Sequence, residues 1–315
     1  MYSKYPSLFI VLKKYDNVFF QPYLQDLSKW TVFKNARYAV MWNVYCRYKK
    51  KTRYRKIVKK HQSKNKNRLI IVELGFLARQ HYYSLSFDHI SNFGTYPEWI
   101  YTPSGQKRGA KRLKKMIPPL STVSSQSTVS LQTKKSQILL CTQVPWDTQV
   151  QDIDYYQWVW NTILQLQTDL PSYKLVIRTH PKHTNSQKFP PFREFLEQKK
   201  ASPKPTPNST PNSTHNPTPS LDFQFSNNTL EQDLETSLFV IAYNSTVLVD
   251  ALLRGVPVVA ASPTSIVWDI SSPLQQPLSI PVLPEKKKIL ECLHRVACKQ
   301  WRLEEFDKAL EYYID

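Results

Sequence analysis

Two short apolar runs that break off abruptly into polar side chains restrict this chain more than any other feature. The first is Lys174-Leu-Val-Ile-Arg-Thr-His-Pro-Lys-His183; the second is Leu238-Phe-Val-Ile-Ala-Tyr-Asn-Ser-Thr246, which continues to Gly255 and Val259. Unbroken aliphatic runs of this length, with no polar residue on alternate positions, are the pattern of strands buried on both faces of a parallel sheet. Open α/β sheets hold their ligands just beyond the carboxyl ends of such strands. There the first run offers Arg178, His180 and Lys182. The second offers Asn244, Ser245 and Thr246, then a helical run to Gly255 and a new strand entered through Pro257. Small hydroxyl residues at a helix start cap it and, together with backbone N–H groups, hold an anion. The pattern predicts a phosphate half-site on a Rossmann-like domain.

The neighbouring segments extend that domain. Gln137–Cys141 reads as a strand, followed by a polar loop containing Gln143 and Asp147. An amphipathic helix is expected over Asp154–Asp169, with Tyr156, Trp158, Trp160, Ile163 and Leu164 on its buried face and Pro171 ending it. Strand, helix, strand in succession implies a parallel sheet. Residues 201–220 repeat Pro-Asn-Ser-Thr, cannot contribute to a core and are expected to form a mobile insertion. The final stretch, 285–315, is expected to be helical, with Trp301 opening the last helix.

Upstream, Leu8–Leu12, Val18–Phe20 and Tyr38–Val44 are further apolar runs, and Arg68–Arg79 reads as a strand ending on Glu73 and Gly75. A carboxylate at a strand's carboxyl end is placed to act as a general base, or equally to cap a helix or form an ion pair. The next stretch, Tyr82–Gly94, is rich in hydroxyl, aromatic and amide groups, a composition suited to sugars and also common in β-loops. Arg79, Tyr83, Asp88 and His89 are the candidate acceptor contacts, with Asp88 and His89 as the alternatives to Glu73 as base. Residues 103–136 are basic and then Ser/Thr/Gln-rich, and read as a linker. The expected division is an N-terminal domain over 1–130 and a C-terminal domain over 131–315.

Composition narrows the chemistry. With only five glycines, the chain has no G-x-G-x-x-G or P-loop segment, so any phosphate must be held by helix starts and side chains. Cys46, Cys141, Cys292 and Cys298 form no C-x-x-C pair, which argues against a zinc ribbon or a redox pair. No apolar run approaches the length of a membrane span, and a soluble, cytoplasmic protein is expected. The net charge of +19 is concentrated: Tyr48–Arg68 holds eleven Lys/Arg and Lys107–Lys115 six, with no acid in either. Such blocks attract an anionic surface, nucleic acid or an acidic glycan, or are merely solvated faces.

Taken in order, "VELGFLARQHYYSLSFDHISNFG" (72–94), "TQVPWDTQ" (142–149), "RTHP" (178–181), "LEQDLETSLFVIAYNSTVLVDALLRGVPVV" (230–259) and "QWRLEEF" (300–306) resemble the capsule-polysaccharide glycosyltransferases of the Kdo-transferase type, and more broadly GT-B enzymes using nucleotide sugars. The resemblance spans roughly residues 68–315. It implies an α/β protein of two Rossmann-like domains facing a cleft, with the donor nucleotide on the C-terminal one. On that analogy His180, Ser245 and Thr246 meet the donor phosphate, with Arg178, Lys182, Asn244 and Gln143 around them. Asp250 stands where such families carry a glutamate that contacts the ribose, a departure at that position. The partners implied are a nucleotide-sugar donor, which is a substrate rather than a cofactor, and a glycan or glycoconjugate acceptor. No cofactor or metal is expected. A sugar-nucleotide epimerase on the same scaffold, a non-catalytic glycan binder and a basic nucleic-acid-binding protein are the alternatives.

Overall fold

The computed structural model describes residues 18–20, 38–42, 68–88, 91–117, 135–147, 149–150, 153–181, 191–201 and 222–313. His89, Lys182, the basic segment up to residue 67 and the expected insertion from residue 202 lie outside them. The chain forms two compact units. Unit 1 comprises Met1–Val123 and Glu285–Asp315, and unit 2 comprises Ser124–Pro284. The segment 131–315, expected to be one domain, is therefore shared between the two.

Unit 1 begins with β1 (Val18–Phe20), β2 (Tyr38–Trp42) and β3 (Arg68–Leu74), which pair in parallel in that order. β4 (Tyr83–Phe87) then turns back antiparallel to β3, with Glu73 opposite Ser84 and Ile70 opposite Phe87. The following α1 (Pro103–Met116) occupies the first part of the expected linker. Its start follows the usual rules: the Thr102 hydroxyl accepts from the Gly105 N–H at 3.2 Å, and Pro103 takes the first helical position, where no N–H is needed. A helix with six basic residues and few apolar ones has no conspicuous stripe. Its buried positions, Gly105, Gly109, Leu113 and Met116, nonetheless recur at three- and four-residue spacing.

Unit 2 carries β5 (Gln137–Cys141), α2 (Tyr155–Asp169), β6 (Lys174–Arg178), α3 (Phe192–Ala201), β7 (Phe223–Phe225), α4 (Leu230–Thr236), β8 (Ser237–Ala242), α5 (Val247–Leu253), β9 (Val258–Ala260) and β10 (Ser272–Pro273). All six strands are parallel, in the order β10-β9-β8-β5-β6-β7. Renumbered within the unit, that is the 3-2-1-4-5-6 order of a Rossmann sheet. Asp154 caps α2, its carboxylate accepting from the Gln157 N–H. Tyr155, Val159, Trp160, Ile163 and Leu166 of α2 are buried against the sheet, while Tyr156, Trp158 and Leu164 pack on the margin of that core. The expected face is thus turned by about one position. At the end of α5, Gly255 adopts φ +67°, and the N–H groups of Gly255 and Val256 bond back to Leu252 and Ala251. This Schellman closure needs a left-handed residue, and nothing but open space surrounds the missing side chain.

The chain then returns to unit 1 through α6 (Lys286–Cys298), β11 (Gln300–Trp301), a short 3-10 turn and α7 (Phe306–Leu310). β11 joins β4 antiparallel, so the five-stranded sheet reads β1-β2-β3-β4-β11 and is mixed, not fully parallel. Trp301 is a strand residue, not the opening of a helix. α6 lies so close to α1 that a methyl on Gly109 would meet the His294 carbonyl oxygen at 2.1 Å. Gly105 is pressed equally hard on the backbone of Trp99 and Ile100.

Candidate functional site

In unit 2 the strand order reverses between β5 and β8, and the loops following these two strands diverge over the crevice where Rossmann sheets bind ligands. Gln143 follows β5 and Asn244 follows β8, and the structure joins them. The Gln143 side-chain amide donates to Asn244 Oδ1 at 2.8 Å, and Asn244 N–H returns a bond to Gln143 Oε1 at 3.2 Å. Asn244 Nδ2 also donates to the Gln149 carbonyl and to Thr264 Oγ1, and the Gln143 N–H donates to the Tyr155 hydroxyl. Both amides are buried. They form a polar floor that fixes the spacing of the two loops, with Ser262 and Thr264 continuing it.

Over this floor Ser245 and Thr246, both half-buried, lead into α5. Ser245 Oγ accepts from the Val247 N–H at a long 3.4 Å, and Thr246 makes no side-chain cap although its backbone is already helical. Asp250 is half-buried in the first turn of α5. His180, also half-buried, follows β6 by two residues on the same carboxyl edge of the sheet.

Arg178, at the end of β6, points elsewhere. It donates to Asp233 Oδ2 and to the Asn228 carbonyl, each at 2.8 Å. Asp233 is fully buried and also accepts from Ser226 Oγ at 2.6 Å and Asn228 Nδ2 at 3.2 Å. A buried carboxylate is tolerated only when its lone pairs are met and a countercharge is present, and here both conditions hold. The pair is neutral as a unit, so Arg178 ties the β6 and β7 ends together and offers an anion little net charge. Sequence reasoning overlooked Asp233. One of three acids in a short helix, Asp233 shows no sign in the sequence that an arginine 55 residues earlier will reach it.

Burial pushes the Cys141 thiol up to about 12, an effect that the Arg178 charge opposes and the Asp233 and Asp250 charges reinforce. The thiol stays protonated at neutral pH.

In unit 1, Glu73 sits half-buried at the carboxyl edge of the three parallel strands. The following turn is closed by the Gly75 N–H donating to the Tyr82 carbonyl at 2.8 Å. It is then held from the far end of the chain, because Gln300 Oε1 accepts from both the Phe76 and Leu77 N–H groups. A side chain at position 75 would clash with that oxygen at 2.7 Å, which explains the glycine two residues after the carboxylate. The "VELG" and "QWRLEEF" motifs, 224 residues apart, are thus two parts of one structure.

Of the four acceptor candidates, Arg79, Tyr83 and Asp88 are among the described residues. Arg79 is exposed just past the turn. Tyr83 is half-buried and turns its ring edge to Phe306 at 5.9 Å, packing on the unit's core. Asp88 lies beyond Phe87, at the opposite end of the β3–β4 pair, roughly 14 Å along the strand from the position opposite Glu73. Burial, and then the Tyr101 and Glu73 charges, drive the Tyr96 phenol well above its ordinary range, which places the Glu73 carboxylate within electrostatic reach of Tyr96.

Among the described residues no three His, Cys, Asp or Glu side chains converge as metal ligands, and no helix is long and apolar enough to cross a membrane.

No family model matches the chain, and no curated protein matches it. Solved structures similar to it include two from Thermosulfurimonas dismutans. One is the KpsC beta Kdo 2,7 transferase, at 12% identity and TM-score 0.48, covering 96% of this chain and 100% of that one. The other is the KpsC beta Kdo 2,4 transferase, at 12% identity and TM-score 0.49, covering 88% of each. At this distance function has to be argued from the chain's own residues.

Proposed function

We propose that the protein is a glycosyltransferase that moves a sugar from a nucleotide-sugar donor to a hydroxyl of a glycan or glycoconjugate, without a metal. The observation that carries this reading is the strand order of unit 2. It puts His180 and the Asn244–Thr246 turn on the carboxyl edge of a Rossmann sheet, over a floor locked by Gln143 and Asn244. The five sequence segments that resemble Kdo-type capsule glycosyltransferases support it from an independent direction.

In this reaction the acceptor oxygen bonds to the anomeric carbon as the bond to the nucleoside phosphate breaks, and the acceptor's proton passes to a base. Negative charge grows on the departing phosphate oxygen. The His180 imidazole, when protonated, and the hydroxyls and N–H groups of Ser245 and Thr246 are the groups assigned to meet it. Asp250 is assigned to the ribose and Glu73 to the acceptor proton.

Thermal shift against CMP, UDP, GDP and ADP and their sugars identifies the donor, since binding to the native state alone raises the melting temperature. His180→Ala is expected to abolish transfer while retaining the parent melting curve; near parental turnover removes the role. Conversion of the donor with no acceptor present would replace transfer by epimerisation.

A further inference from the structure

α1 carries six basic residues and no acid, and the structure divides them sharply. Arg108 and Arg112 turn inward. Arg108 lies 4.3 Å over the Trp301 ring and 5.1 Å over Trp99, and donates to the Tyr312 hydroxyl at 3.1 Å. Arg112 grips Glu305 with two bonds of 3.0 and 2.8 Å. Lys107, Lys111, Lys114 and Lys115 are exposed, and their three- and four-residue spacing puts them on one side of the helix.

The other side of α1, which carries Gly105 and Gly109, packs on α6, so the two helices meet end to end at their charged turns. Gly109 touches His294, and the Gly105 carbonyl accepts from the Cys298 thiol, so each step of four residues up α1 matches a step of four down α6. The helices run antiparallel, and the last turn of α1 lies beside the first turn of α6. That first turn is Lys286, Lys287 and Lys288, all exposed. Glu285 and Glu291 are the exposed acids at this end of α6. Lys114 and Lys115 suit a helix C-terminus, but three ammonium groups at a helix N-terminus oppose its dipole. Helix stability accounts for the first pair and works against the second group. A polyanion bound across both would compensate the cost.

We propose that this lysine face of unit 1 docks on the surface of an anionic phospholipid bilayer. The exposed cations of these two turns are all lysines, which meet headgroups as point charges. The arginine forks and the rings of Trp99 and Trp301, which would grip a nucleic-acid phosphate or stack on a base, are engaged inside the unit. Leu290, one turn into α6, is an exposed apolar side chain at this end, of a type that sits at the headgroup–acyl boundary.

The test is co-sedimentation of the full chain with phosphatidylcholine vesicles, with and without about a third phosphatidylserine. Binding is expected only with phosphatidylserine, is expected to be lost in high salt, and should weaken roughly a hundredfold in Lys111→Glu/Lys114→Glu/Lys287→Glu. A glutamine version of the same three sites should fall between parent and glutamate variant, which separates charge from any loss of fold. Parental binding by both variants would overturn the proposal, as would tighter binding of an oligonucleotide than of vesicles at equal phosphate.

Discussion

The two units solve the problem of completing a sheet in opposite ways. Unit 2 draws its six strands from one continuous stretch, and its core is a large apolar cluster that includes Ile138, Leu140, Leu175, Ile177, Phe239 and Ile241. Unit 1 borrows its last strand and two of its helices from beyond unit 2, and fastens them with specific polar and glycine contacts. Gln300 holds the turn after Glu73, Arg112 holds Glu305, and Gly109 admits α6. The difference teaches where each unit is vulnerable. Unit 2 depends on bulk burial with one buried charge pair at its edge, and unit 1 depends on a few close contacts of long sequence reach.

Removing the exceptional polar feature of unit 2 should have the largest effect. Asp233→Ala leaves the Arg178 guanidinium, the Ser226 hydroxyl and the Asn228 amide without their acceptor. A loss of about 3 kcal/mol is expected, measured by urea unfolding. A loss below about 1 kcal/mol would show the pair to be as dispensable as a surface bridge.

The glycines give a matched pair of variants across the two units. Gly109→Ala drives a methyl into the His294 carbonyl and should cost about 2–3 kcal/mol, felt in unit 1. Gly255→Ala meets no atom and should cost only about 1 kcal/mol, through its φ of +67°. Calorimetry that ranks the two the other way round would refute the distinction between a glycine needed for closeness and one needed for conformation.

Much of unit 2 was legible because a strand buried on both faces must be a run of apolar residues. Leu175–Ile177 and Phe239–Ala242 therefore announced both their conformation and the edge bearing His180 and Asn244. Unit 1 hid its plan for physical reasons. β11 is two residues long, too short for any period, and its partner lies more than 200 residues away. α1 looked like a basic linker because four of its six lysines and arginines are solvated and its contact with α6 is made by glycines, which carry no hydropathy signal; Thr102-Pro103 was the one local clue. At the candidate site, Gln143 and Asn244 were recognised as important, but their amides bond to each other. A pairing across 101 residues leaves no trace in either local sequence.

The smallest effect concerns pH. Burial alone would raise the Glu305 carboxyl, but the Arg112 fork and the Arg302 N–H outweigh it and hold the group below its ordinary range. A depressed folded value means stability that is present above the unfolded value, about 4.3, and lost as the pH falls through the folded one. With a third of the Glu305 side chain exposed, the contribution is under about 1 kcal/mol. Glu305→Gln should therefore lower the melting temperature slightly at pH 7, and the gap should close toward pH 3. A gap that persists unchanged in acid would mean that the bonds, not the charge, matter.

The contact between Gln300 and the turn at Phe76 and Leu77 also orders events during synthesis. At ribosomal speeds, the 224 residues between them take roughly ten to forty-five seconds to appear. Throughout that interval the turn after Glu73 lacks its acceptor and β4 has an unpaired edge, and unit 2 is fully translated, at Pro284, before Gln300 appears. The nascent chain is thus expected to have the parallel sheet of unit 2 complete while the mixed sheet of unit 1 is still open. A newborn molecule in that state is exposed to edge-to-edge association until Gln300 and Trp301 emerge.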